Sequence, residues 1–231
     1  MRIQDSIRAL ADKKKAKGLQ WFFKTGKGQY GEGDVFLGVV VPDIRKVAKG
    51  FSDASTDEIE ILLSSTYHEE RLLALFILVS QFGKGGADRR REIYTYYLKH
   101  TKHINNWDLV DLSALHIIGA YLHGKDKTIL LKLARSRNMW ERRISVLSTF
   151  FDIKNGNPAI ALAVAEILVH DKEDLIHKAV GWMLREVGKR CSEEAEEEFL
   201  RKHLKTMPRT MLRYAIERFP EEKRRRYLLK K

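Results

Sequence analysis

One cysteine, Cys191, among 231 residues excludes an internal disulfide and any cysteine-clustered zinc site. Four prolines and 15 glycines leave most of the chain open to helix formation, because proline is the residue a helix interior tolerates least. No run reaches the roughly 18 apolar residues that a membrane span requires. The opening MRIQDSIRALADKKKAKG carries charge from its first turns, unlike a signal peptide. The eight histidines show no two-plus-one ligand spacing, so no metal site is expected. TGKGQYGEGD lacks the Lys-Ser/Thr pair that completes a nucleotide-binding phosphate loop. These absences point to a soluble, cytoplasmic protein with no membrane partner, metal or cofactor.

Basic charge is what the chain has in excess. The net charge is +12, and it is concentrated at the ends. Residues 1–50 hold 11 Lys/Arg against 5 Asp/Glu, residues 201–231 hold 12 against 3, and the middle holds 20 against 23. Two basic ends suit a cradle for a polyanion, and a pI near 9.7 favours nucleic acid over a merely solubilising surface.

Helical signals run nearly end to end. Segment 5–24 reads as one amphipathic helix ending in the apolar cluster Trp21, Phe22, Phe23. TGKGQYGEGD, with four glycines in ten residues, must be a loop. Pro42 then opens a helix that Gly50 closes, and Ser55 with Glu58 forms a capping box. From there five apolar runs look equivalent: RLLALFILVS, LVDLSALHIIGAYL, RRISVLSTFFDI, KAVGWMLREVG and RTMLRYAIERF. Anchored on Leu72, Leu109, Ile144, Ala179 and Met211, they are spaced by 37, 35, 35 and 32 residues. Other helices fill the intervals, at 87–100, 126–136, 158–170 and 193–205. Asn157 and Ser192 supply caps. A two-helix period in the thirties predicts an all-α fold, an α-solenoid of HEAT-like pairs with a concave basic groove. It reads as a single repeat domain over 1–231, with N-terminal helices and glycine-rich loop in 1–50 and repeats in 51–231. The acidic run SEEAEEEF reads as a solvated helix face.

Polar and aromatic residues interrupt these apolar helices. Trp107 and Asp111 stand four apart and share a helical face. An aromatic plane beside a carboxylate suits a flat cation, although the same spacing fits a core tryptophan with a surface carboxylate. Asp108 points elsewhere and reads as a cap or a lysine partner. Trp140 and Arg143 share a face, as do Trp182 and Arg185, and Arg209 with Arg213 makes a basic stripe. An arginine fork can hold a phosphate; an ordinary Glu–Arg pair is the alternative for Arg143. Asp171 and Asp174 read as a capped helix start, and Gly181 permits close approach by a partner.

Taken together, GQYGEGDVFLGVVVPDIRKVAK, HEERLLALFIL, NNWDLVD, MWERRISVLSTF, DKEDLIHKAVGWMLREVGKR and MPRTMLRYAIERFP resemble the AlkD-like DNA alkylation repair family over most of the chain. The resemblance implies a HEAT-like solenoid whose glycosylases excise cationic N3- and N7-alkylated purines such as 3-methyladenine and 7-methylguanine, without full base flipping. Trp-Asp-x-Val-Asp places one family tryptophan at Trp107 and the aspartate at Asp111. Trp-x-x-Arg places the arginine at Arg143, and Gly-Trp-x-Leu-Arg-Glu places the second tryptophan at Trp182. Arg185 would then be a backbone contact, with Arg209, Arg213 and Trp140 as further DNA contacts. The implied activity is that of a monofunctional enzyme acting as a monomer on alkylated duplex DNA and leaving an abasic site. The family also holds relatives that bind distorted or branched DNA without glycosylase activity, and a HEAT scaffold for protein partners is a third possibility.

Overall fold

Side-chain caps and interruptions decide where the helices of this chain begin and end. The computed structural model describes residues 2–229. Among them there is no strand, only an isolated bridge between Val35 and Tyr67, and the fold is all-α. No helix among the described residues is long and apolar enough to cross a membrane. The chain divides into two compact units, the first ending at Ser113 and the second starting at Ala114.

The first unit contains α1 (Ile3–Arg8), α2 (Lys13–Phe22), α3 (Val41–Gly50), α4 (Thr56–Leu63), α5 (His68–Lys84), α6 (Ala87–Lys99) and α7 (Trp107–Asp111). The helix expected over 5–24 is broken in two. Asp12 is the reason: its carboxylate accepts from Lys14 N and Lys15 N and its own N–H donates to Leu37 O at 2.9 Å, which starts a new helix. Ser55 and Glu58 form the expected capping box on α4. Helix α5 is buried at every position from His68 to Leu78, and α3, α4, α6 and α7 pack on it. A helix covered all round is the centre of its unit. Its leucines and isoleucines contribute about 1.5–3 kcal/mol each by burial.

The second unit contains a π-helical turn over Leu115–Gly119, then α8 (Ala120–Leu122), α9 (Thr128–Ala134), α10 (Met139–Ser148), α11 (Phe150–Lys154), α12 (Ala159–Leu168), α13 (Asp174–Arg190), α14 (Glu193–His203), α15 (Arg209–Ala215) and α16 (Glu221–Leu229). Helices α9 and α10, and then α12 and α13, pair, while α10 packs on α13, α13 on α15 and α9 on α12. This is two-layer stacking of helix pairs. Gly181 sits where α13 meets α15: a Cβ there would lie 2.4 Å from Met211 O and 2.6 Å from Tyr214 Cβ. The close approach permitted by Gly181 is therefore used by the chain itself.

All five anchor residues of the sequence period are buried in their own units, at 0–1% exposure. Two of the runs are not continuous helices. In LVDLSALHIIGAYL, Ser113 Oγ turns back to Leu109 O at 2.5 Å and the helix gives way to the π turn. In RRISVLSTFFDI, Ser148 Oγ and Thr149 Oγ1 donate to Ile144 O and Val146 O, each at 2.6 Å. Such back-bonding competes with the helical ladder and bends it.

Candidate functional site

Trp107 and Asp111 lie at the two ends of α7, four residues apart and both half-buried. The short helix is held in place from its buried side. Asn106, fully buried, caps it by accepting from Trp107 N at 2.8 Å, and its amide donates to Asp34 Oδ2 at 2.8 Å. Asp108 is buried too. Its Oδ1 accepts from Leu109 N at 2.9 Å and its Oδ2 lies 2.8 Å from His68 Nε2. Its partner is thus a buried histidine rather than a lysine. His68 Nδ1 lies 3.2 Å from Asp34 Oδ2, and Arg71 Nη2 donates to Asp34 Oδ1 at 2.5 Å.

The network holds a buried histidine between two carboxylates. Burial opposes a charge on His68, but hydrogen bonds to Asp108 and Asp34 outweigh it and hold the imidazole up at about 9. Burial likewise works against Asp34 ionising, yet the His68 bond, the Arg71 charge and the Asn106 bond leave its carboxyl below the ordinary value. A buried ion set survives only when every member is paired. Next to it, Glu69 accepts from Leu37 N, Gly38 N and Val39 N at 2.9, 2.8 and 3.2 Å. That ties down the extended segment after the glycine-rich loop. The loop itself serves to deliver Asp34: Gly28 and Gly33 take positive φ, and a Cβ on Gly31 would lie 2.4 Å from Phe23 O.

Aromatic rings continue the support. Trp107 stacks on Phe23 (5.3 Å between centroids, 17°), Phe23 on Phe36 (5.0 Å) and Phe36 on His68 (4.6 Å). Phe22 meets Trp107 edge-on at 6.0 Å. Behind α7, burial holds the Tyr97 phenol above its ordinary value. The Asp111 charge adds to that shift and the Ser113 hydroxyl, 2.8 Å away, acts against it.

The other candidates lie in the second unit. Trp182 is half-buried on α13, its ring 6.0 Å from that of Phe150. Arg143 is buried at 5% exposure and donates through Nη1 to Leu175 O in the first turn of α13. Trp140 is buried at 8%. Arg142 pairs with the Asp171 carboxylate at 2.6 Å; Asp171 also accepts from Glu173 N, and Asp174 pairs with Lys178. Arg185 is half-buried and bonded to Glu217. The stripe of Arg209 and Arg213 is divided: Arg209 donates to Leu228 O at 2.8 Å, whereas Arg213 is exposed. The acidic run is not wholly solvated either, since Glu196 is 2% exposed. Burial and the Glu193 and Glu197 charges push it up to about 8.

The residues hidden from a sequence reading are Trp21 and Phe22. Of the apolar cluster, only Phe23 is buried, while Trp21 is 84% and Phe22 55% exposed. In the same stretch of sequence Lys13, Lys14, Lys15, Lys17, Lys24 and Lys27 are exposed. Trp21 is thus a large aromatic side chain left in solvent on a lysine-rich segment. Among the described residues no group of three or more His, Cys, Asp or Glu is placed to hold a metal ion.

An all-helical chain of paired helices, with a carboxylate and a tryptophan fixed on a short helix by buried ions, is the class of protein in hand. Residues 3–219 match the model of the DNA alkylation repair enzyme family, and the chain belongs to that family, with a role in the repair of alkylated DNA. A solved structure, described as a predicted DNA alkylation repair enzyme from Enterococcus faecalis, shares its fold with a TM-score of 0.70 at 17% identity, over 91% of this chain and 97% of that one. No protein of curated function matches it in sequence.

Proposed function

We propose that this protein is a DNA glycosylase that hydrolyses the N-glycosidic bond of cationic N3- or N7-alkylated purines in duplex DNA. The observation that carries the reading is the half-buried Asp111 carboxylate one helical turn from the Trp107 ring, on a helix pinned by Asn106 and Asp108.

An alkylated purine already bears positive charge, so it leaves as a neutral base with its bonding electron pair. Positive charge then builds on C1′ of the deoxyribose. Asp111 stabilises that developing oxocarbenium and orients water toward C1′. Water adds, loses a proton, and an abasic site remains. A charge held ready before the reaction stabilises the transition state more than the ground state. Trp107 and Trp182 offer ring faces to the cation and to the nucleotide backbone. Arg213 and Arg185 contact phosphates, Arg185 on exchanging Glu217 for DNA. Arg143 and Trp140, being buried, act by positioning: Arg143 fixes the start of α13, the helix that carries Trp182. Trp21 and Phe22 supply a sequence-tolerant stacking platform among lysines. The protein would act as a monomer in the cytoplasm.

The burial of Arg143 favours one second reading, a binder of distorted DNA without glycosylase activity, because the family's arginine does not face solvent here. Free-base release from methylated duplex DNA separates the two. Release of 7-methylguanine or 3-methyladenine supports the enzyme, and tight binding with no release selects the binder.

A further inference from the structure

A second basic feature of the first unit lies apart from α7 and α2. Helices α3 and α5 bound a surface hollow of 240 Å³ lined by Arg45, Lys49, Lys84, Ser52, Ser80 and the ring of Phe76, together with small apolar side chains. None of the three cations has a carboxylate partner among the described residues, unlike neighbouring Lys46, which pairs with Asp43. No carboxylate lines the hollow. Asp53, which accepts from Ser52 Oγ at 3.3 Å, is the acidic group tied to its edge.

The walls are fixed rather than loose. The Arg45 guanidinium carbon lies 4.1 Å from the centre of the Phe76 ring, and Phe76 is buried in α5. Gln81 Nε2 donates to Ser52 O and Ala54 O at 3.0 and 2.8 Å, fastening the turn after α3 to α5. Three cations without a carboxylate partner and the Ser80 hydroxyl around a hollow of this size make a receptor for one tetrahedral anion. An arginine held over a ring is pre-organised to offer its N–H donors to an anion.

We infer that this cluster grips one phosphodiester of the DNA backbone, so that the footprint of the protein on DNA includes α3 and α5. The inference rests on the DNA-repair reading for its ligand, and it concerns a contact that positions the duplex without reading sequence. A competing role is offered by Lys49 and Lys84 lying in the last turns of their helices, where cations offset the helix dipole.

The test is the affinity of the full chain for an undamaged duplex, measured against salt. Each phosphate neutralised adds about 0.9 to the slope of log K on log salt. The variant R45Q/K49Q/K84Q is expected to bind about tenfold more weakly, with a slope shallower by about 1. The control K99Q, which removes an exposed cation of α6, should keep the wild-type slope. If the triple variant does not fold, K84Q and R45Q singly must each weaken DNA binding more than K99Q does. A wild-type slope in folded variants overturns the inference, and a melting temperature that drops while DNA affinity stays unchanged assigns the cations to the helix ends instead. Stabilisation by inorganic phosphate that the variant loses, with DNA binding intact, also overturns it by assigning the hollow to a free anion. If the wild type itself shows no salt-dependent affinity for DNA, the functional reading has failed first.

Discussion

His68 Nε2 lies 2.8 Å from Asp108 Oδ2, and this contact joins the central helix of the first unit to the short helix that carries Trp107 and Asp111. The imidazolium is held between two carboxylates, so its charge is part of the fold. Its ordinary pKa is about 6.5, and in the folded protein it stands at about 9. A raised basic group stabilises the fold fully below its unfolded pKa, and that stabilisation is lost as pH rises through the folded value. Stability is therefore expected to fall between about pH 6.5 and 9. Urea melts of wild type and His68→Gln across that range check it: the difference between them should shrink as pH rises.

Removing Asp34 leaves His68 and Arg71 buried with one partner fewer. Breaking a buried ion set from one side costs about 3–5 kcal/mol. Asp34→Asn should accordingly lose several kcal/mol in denaturant melts, with Trp107 emission shifting as α7 loosens. A near-neutral effect would show that the network does not hold α7.

Glu196 carries the opposite kind of stress. Its carboxyl is buried with Oε1 unpartnered and stands at about 8 against an ordinary 4.5. A raised acid loses stability as pH climbs from its unfolded pKa to its folded one. Glu196→Gln is therefore expected to stabilise the protein at pH 8, on the order of 1–2 kcal/mol, and to have little effect at pH 4.5. Equal melting of both proteins at pH 8 would contradict this.

Gly181→Ala drives a methyl group into the carbonyl of Met211 and the Cβ of Tyr214. Both neighbours belong to a packed helix and cannot step aside cheaply. A loss of about 1–3 kcal/mol is expected by thermal melting, with weaker DNA binding because Trp182 is the next residue.

Trp21→Ala separates binding from folding. The side chain is 84% exposed, so the melting temperature should hardly change. DNA affinity should fall by about 1–3 kcal/mol, the range for a lost stacking platform. Trp107→Ala should lower both, because its ring is part of the stack on Phe23.

The helix pairs were legible because burial in them is periodic: Leu72, Leu109, Ile144, Ala179 and Met211 follow the sequence period and all are buried. The breaks after Asp111 and Ser148 were not, since hydroxyls bonding back to carbonyls leave no mark on hydrophobic pattern. That Trp107 and Asp111 stand one helical turn apart was legible from their spacing. What fixes them was not, because Asp34 and Asn106 are 72 positions apart and meet only through the fold. HEER at the head of an apolar helix was the available signal: charged residues placed where burial is unavoidable must find partners. The exposure of Trp21 and Phe22 was not legible, because an apolar cluster does not tell which of its side chains are left in solvent.

The central claim is that Asp111 stabilises the positive charge that forms as the base departs. The most direct measurement is the single-turnover rate of free-base release from duplex DNA carrying 7-methylguanine, wild type against Asp111→Asn. The substitution keeps size and hydrogen-bonding shape while removing the charge. A fall of about 100- to 1000-fold, the range for losing one transition-state stabiliser, with DNA affinity retained, is the predicted result. Release by Asp111→Asn at the wild-type rate would contradict it.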